Sequence, residues 1–196
     1  MDRDDLMPGV DADVRLARYG VEGCPSFLRL LKRHEGEYRR GGLHAAYRCP
    51  AGALTIGWGH NLDARPLPGL GEGSRISDEQ ASAILRQDLQ ELAAELDLRL
   101  PWWRRLGAAR SAVLLDMAYN LGAAGLLGFR RMLEAARRGR FGEAASEMMD
   151  SRWAGQVGIR AVELAEQMRS GRWQAGDMKQ HTTPFDQARR TGREEG

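Results

Sequence analysis

Long apolar runs are missing from this sequence of 196 residues. Stretches such as Ala112 to Leu115 fall far short of the roughly 18 residues that a hydrocarbon core demands, so no membrane-spanning helix and no stable insertion are expected. Cysteine is scarce too. Cys24 and Cys49 are too few and too far apart for a zinc site or a disulfide framework, and free thiols are expected. The opening residues Met1-Asp2-Arg3-Asp4-Asp5 have neither the positive start nor the apolar stretch of a signal peptide. Synthesis in the cytoplasm, with release by another route, is the expectation. What is present, 42% hydrophobic and 29% charged residues, is the composition of a globular protein and excludes a mostly disordered chain. The length suits one domain or a small two-lobed enzyme.

The net charge of +2 hides an asymmetry. Residues 1–22 carry six acids against three arginines and residues 174–196 carry four charges of each sign, which leaves the body at +5. A basic body suits any anionic polymer, whether nucleic acid, acidic headgroups or bacterial wall with free carboxylates. Residues 1–22 lack apolar periodicity and read as a flexible acidic arm; the polar stretch 174–196 reads as a disordered tail. The folded part is expected over 23–173.

Within it, Pro25 and Ser26 open a helix whose apolar face runs through Phe27, Leu28, Leu30 and Leu31, expected to reach about Tyr38 and to stop near Gly41-Gly42. Ala45–Arg48 and Ala53–Gly59 read as two short strands around the turn Cys49-Pro50-Ala51-Gly52. Residues 61–75, rich in Gly and Pro, read as a surface loop or a third short strand. Ser77-Asp78-Glu79-Gln80 is a capping box opening one long helix that ends before Pro101. A more apolar helix over Ala108–Leu121, stopped by Gly122, is the expected centre of the larger core. Shorter helices follow at about 129–138, 141–150 and 158–170.

Glu35 lies near the end of the first helix, ahead of a hairpin that offers Cys49, Thr55, Trp58, His60 and Asn61. A carboxyl held against an apolar hairpin is pushed toward its protonated form and can protonate a glycosidic oxygen. The same position also suits a solvated helix-end charge.

The order of motifs decides between these. His34-Glu35-Gly36, Ala46-Tyr47-Arg48-Cys49-Pro50-Ala51-Gly52 and Leu54-Thr55-Ile56-Gly57-Trp58-Gly59-His60 closely resemble the signature of the phage-type lysozymes, the T-even and lambdoid endolysin family. Met117-Ala118-Tyr119-Asn120-Leu121-Gly122, Gly125–Phe129, Ser151-Arg152-Trp153, Arg160-Ala161 and Gly171-Arg172-Trp173 continue it in the family order, so the resemblance covers about 26–173. It implies a mostly helical α+β, lysozyme-like fold: a small β-hairpin lobe and a helical lobe joined by the long helix, with a cleft between them. It also implies a muramidase that cleaves the bond between N-acetylmuramic acid and N-acetylglucosamine in peptidoglycan. By position, Glu35 is the family's acid, Thr55 its water-positioning hydroxyl, Tyr119 and Asn120 line the cleft, and Arg160 is the arginine that pairs with the acid. A monomer is expected that acts on peptidoglycan glycan strands without metal or cofactor. It would wait in the host cytoplasm and reach the wall after release.

Two departures stand out. About five extra residues separate Glu35 from Cys49, around Arg39-Arg40-Gly41-Gly42-Leu43, and an extended loop is expected there. Where the T-even enzymes carry aspartate this chain has Cys49, and no Asp or Glu occurs between Tyr38 and Leu62. Some lambdoid relatives share Cys-Pro-Ala-Gly, so Cys49 is taken as a variant water-positioning group. Asp63 is the fallback carboxylate. The missing carboxylate keeps a lytic transglycosylase as the nearest rival, with a catalytically silent wall-binding module next and nucleic-acid binding a distant third. His60 is read as a structural histidine, Trp102-Trp103 as packing at an interhelix turn, Trp153 as core, and the arginines from 130 to 140 as a solvated face.

Overall fold

The computed structural model describes residues 20–174. Seven α-helices and two small antiparallel sheets make up this part, an α+β and mostly helical architecture as the sequence implies. The helices are α1 Pro25–Glu35, α2 Asp78–Arg99, α3 Ala108–Leu127, α4 Arg130–Arg137, α5 Phe141–Met149, α6 Arg152–Val157 and α7 Ile159–Ser170. Short 3₁₀ turns occupy Val21–Gly23 and Trp103–Leu106. The described residues divide into two compact units, 29–88 and 20–28 together with 89–174, and the second division falls inside α2, between Asp88 and Leu89. The arm expected over 1–22 and the tail over 174–196 lie, except for their innermost residues, outside the described part. Val21 is 1% exposed and Glu22 pairs with Arg104 at 3.0 Å, so these two belong to the folded body.

In the unit of residues 29–88, α1 ends three residues earlier than its apolar face suggests. Gly36 takes φ 66° and its N–H bonds back to the Lys32 carbonyl at 3.1 Å, a left-handed C-terminal stop that side chains with a Cβ avoid. The chain then makes a hairpin where only a longer loop was expected. Strands β1 Arg39–Arg40 and β2 Leu43–Ala45 pair with Arg40 opposite Leu43, and Gly41 and Gly42 between them have φ 60° and 80°. Two consecutive positive φ values define the type I′ turn that matches strand twist, and Gly-Gly is a sequence that permits it. The strand β6 Arg75–Ile76 completes this sheet beside β2. The second sheet, β3 Tyr47–Arg48, β4 Leu54–Ile56 and β5 His60–Asn61, contains the expected hairpin with shorter strands. Gly57 follows β4 with φ 65°, and a Cβ there would stand 3.3 Å from the Ala81 Cβ, so strand and helix approach through a missing methyl.

The start of α2 is fixed as the capping box predicts. The Ser77 N–H donates to Gln80 Oε1 at 2.9 Å and the Gln80 N–H returns to Ser77 Oγ at 3.2 Å.

The unit of 89–174 is helical. Its core holds Phe27, Leu96, Trp103, Val113, Leu114, Leu115, Met117, Leu126, Met132 and Met148, all fully buried, each worth roughly 1.5–3 kcal/mol relative to exposure. Gly122 (φ 74°, ψ 158°) breaks α3 where the sequence places its stop, but helical turns resume after it to Leu127. Trp103 packs as expected: its indole N–H reaches Asp97 at 2.8 Å and its carbonyl accepts from Ser111 Oγ at 2.8 Å.

Candidate active site

In the unit of residues 29–88, Glu35 is the last residue of α1 and is half-buried. Cys49 opens a tight turn in which the Gly52 N–H donates to the Cys49 carbonyl at 2.7 Å, while the Cys49 N–H reaches the Ala53 carbonyl at 2.9 Å. Pro50 presets the turn and Gly52 supplies φ 86°. The Cys49 thiol is free and partly exposed.

Thr55 is the middle residue of β4, 5% exposed, opposite Tyr47 on β3 and Asn61 on β5. Its hydroxyl donates to the Ala53 carbonyl at 3.2 Å. With its proton committed, Oγ1 is left with acceptor capacity. The half-buried Tyr47 phenol is held above its usual pKa, first by burial and then by the negative charges of Glu35 and Cys49. Asn61 caps its own turn, its Oδ1 accepting the N–H groups of Asp63 and Ala64 at 3.0 Å each. Asp63 accepts the Leu54 N–H at 2.8 Å and has Arg48 at 3.7 Å, so this carboxylate has a structural task.

His60 is the structural histidine the sequence suggests. Its Nδ1 meets Asp88 Oδ2 at 2.8 Å and its Nε2 the Arg65 carbonyl at 2.9 Å, with Arg65 Nη1 on the other Asp88 oxygen at 2.9 Å. Burial pushes the imidazole down, but the Asp88 hydrogen bond and charge, with the Arg65 carbonyl, outweigh it and the pKa is raised. His44, fully buried edge-on to Trp58 at 4.5 Å, goes the other way. Burial and the Arg39 charge hold it below its usual value against the weaker pull of Glu37 and Asp78.

In the helical unit, Tyr119 and Asn120 lie on α3 just before the Gly122 break. Asn120 is exposed and its Oδ1 accepts the Trp153 indole N–H at 2.8 Å, which leaves the amide NH₂ as a donor group. Trp153 is 4% exposed and edge-to-face with Phe129 at 6.0 Å. Arg160, at the second position of α7, is 5% exposed; its Nε donates to Asp116 Oδ1 at 2.8 Å and its Nη2 to the Asp116 carbonyl at 3.3 Å. Asp116 is completely buried and was not singled out from the sequence. A signal existed: an acid inside the apolar run Val113–Met117 needs a cationic partner. Among the described residues no three His, Cys, Asp or Glu side chains gather to hold a metal ion, and no single helix is long and apolar enough to cross a membrane.

Comparison with known proteins adds three findings. The family model described as Phage lysozyme matches residues 37–171, beginning just past Glu35. The endolysin of Acyrthosiphon pisum secondary endosymbiont phage 1 is 37% identical over 73 residues, 37% of this chain and 42% of that protein. The pre-baseplate central spike protein of Enterobacteria phage T4 is 25% identical over 155 residues, 69% of this chain but 26% of that protein. The matches thus span less than half the length of either relative.

Proposed function

The chain belongs to the phage lysozyme family, and from that premise we propose that it is an N-acetylmuramidase of endolysin type. It hydrolyses the β-1,4 bond between N-acetylmuramic acid and N-acetylglucosamine and serves host lysis. In this reading Glu35 is the general acid that protonates the departing glycosidic oxygen. Water attacks the opposite face of the sugar, so the anomeric carbon inverts. Thr55, accepting from that water, fixes its position, and Cys49 takes the place of a carboxylate as a weaker acceptor beside it. Tyr119, Asn120 and Arg160 hold the glycan strand. The stretch 23–173, with Val21 and Glu22 docked on it, is the catalytic domain, and the protein acts as a monomer, held in the host cytoplasm until it reaches the wall.

The observation that carries this reading is the gathering of three reaction groups in one small unit. Glu35 ends the helix of this unit, Cys49 heads the turn that joins β3 to β4, and Thr55 is the middle residue of β4. Digestion of purified sacculi followed by mass analysis tests it. Hydrolysis yields reducing N-acetylmuramic acid ends; anhydro ends, lighter by one water, would replace it with transglycosylation, which the absence of Asp and Glu between Tyr38 and Leu62 favours as second reading. Sacculi that retain the protein without releasing sugar would mark a binding module. Glu35→Gln keeps the shape and removes the transferable proton, so at least about a 10²-fold loss of rate with an unchanged melting temperature is expected.

A further inference from the structure

The hairpin around Gly41-Gly42, where the chain exceeds the family spacing, divides its arginines between two faces. Opposed residues of an antiparallel pair share a face, and so do alternate residues of one strand. Arg39 lies opposite His44, and His44 opposite Ile76, on the side where His44 and Ile76 are buried. There Arg39 is neutralised by Glu37 at 2.8 Å and Asp78 at 2.6 Å. The other face carries Arg40 opposite Leu43 and Arg75 opposite Ala45. The Arg75 guanidinium reaches the hairpin turn, its Nη1 3.8 Å from where a Cβ on Gly41 would stand. Both arginines are exposed, and among the described residues neither has a carboxylate partner. A line of contacts leads from this face to the proposed centre. Arg40 Nε donates to the Tyr38 hydroxyl at 2.7 Å, the Tyr38 ring meets Tyr47 with centroids 5.2 Å apart, and Tyr47 stands opposite Thr55. Held by Nε alone, Arg40 keeps its two terminal nitrogens, and paired N–H groups of a guanidinium are what takes a carboxylate bidentately.

We propose that Arg40 and Arg75 form a carboxylate-binding subsite on this sheet, which takes the free carboxylates of the peptide stems on the glycan strand being cleaved. The inference rests on the reading of the chain as a peptidoglycan hydrolase and names a second part of the substrate. Two exposed cations on one face, with no acid beside them, repel each other until an anion joins them. The stems leave N-acetylmuramic acid, one of the two sugars at the scissile bond. A strand that runs from Thr55 along Tyr47 and Tyr38 therefore brings their carboxylates to the hairpin. Nucleic-acid phosphate carries the same charge, and the test separates the two.

Retention is measured by co-sedimentation with sacculi in the Glu35→Gln background, and cleavage separately as reducing ends released by proteins that keep Glu35. The sacculi are used native or with their carboxylates capped as methylamides by carbodiimide coupling. Capping is expected to weaken retention of the parent about three- to tenfold, the range of two exposed ion pairs. Arg40→Gln/Arg75→Gln should lose the same factor on native sacculi and be indifferent to capping, while Arg40→Lys/Arg75→Lys keeps part of the binding. Arg130→Gln/Arg137→Gln removes equal charge from the helical unit and should stay sensitive to capping; melting temperatures check each fold. A glutamine pair at 40 and 75 as sensitive to capping as its parent, or an equal loss in the control pair, overturns the subsite. Loss of DNA retention with sacculus retention kept overturns it in favour of nucleic acid. Retention that depends on the two arginines in a protein that cleaves nothing would refute the hydrolase reading and leave the subsite standing; cleavage with retention untouched by either arginine does the reverse.

Discussion

Asp116→Ala should be among the most damaging single changes in the helical unit. The carboxylate is fully buried, and it receives the Nε of a guanidinium that is itself 5% exposed. Removing the acid takes away the carboxylate that this guanidinium meets at 2.8 Å, at a place where neither side chain is open to water. Breaking such a pair costs about 3–5 kcal/mol. For a protein of this size each kcal/mol moves the melting temperature by about 2–4 °C, so a fall of roughly 6–20 °C is expected. The pair itself contributes much less than that, because both ions were desolvated to form it. The double variant Asp116→Leu/Arg160→Met should therefore recover most of the loss. Urea unfolding and thermal melts of the two single variants and the double complete the cycle. A loss below about 1 kcal/mol in Asp116→Ala, or a double variant no better than the worse single, refutes the reasoning. The recovered double variant also separates stability from function, since it should fold and yet fail to cleave sacculi if Arg160 holds substrate.

At position 49, Cys49→Asp should keep substantial activity and Cys49→Ala should lose more than Cys49→Ser, because acceptor strength falls in that order; equal rates in wild type, Asp and Ala would reduce the position to hairpin scaffold. His60, whose folded pKa is raised, stabilises the fold below its ordinary pKa and loses that contribution as pH rises through the folded value. His44, whose folded pKa is lowered, contributes above its ordinary value and loses that as pH falls. Unfolding free energies of His60→Gln and His44→Gln, each subtracted from wild type between pH 5 and 8, should slope in opposite directions; parallel slopes would contradict both assignments. Gly57→Ala places a methyl 3.3 Å from Ala81 on a backbone with φ 65°, so a loss of about 1–3 kcal/mol in urea titrations is expected.

Much of this fold was legible because local chemistry and burial agree. Ser77 and Gln80 cap α2 as their spacing requires, and Pro50 and Gly52 shape the turn that presents Cys49. The first sheet was missed for a physical reason. Its strands are two or three residues long, too short for alternation to register, and Arg39, Arg40 and Arg75 mask it with charge. The Gly-Gly pair that closes β1 and β2 was visible but was assigned to a helix stop. For the proposed site, motif order is what singled out Glu35, Cys49 and Thr55, while periodicity alone left Glu35 indistinguishable from a surface charge. Asp116 escaped because its task depends on a partner 44 positions away in sequence, Arg160.

The two units differ in how the chain visits them, and this shapes how the protein can be made. Residues 29–88 are one uninterrupted stretch, whereas the helical unit is assembled from 20–28 and 89–174. Its first piece is anchored by Val21, Cys24 and Phe27, all buried, and by the bond from Arg104 to Glu22 across 82 positions. On a ribosome the uninterrupted stretch is complete while most of the helical unit is still unsynthesised. The segment 20–28 must meanwhile remain available with its apolar side chains uncovered. Closing that circuit costs loop entropy before the contacts that reward it are made. Joining 20–28 directly to Leu89 through a short linker, with 29–88 excised, would turn the helical unit into a continuous chain and should speed its folding without altering its core.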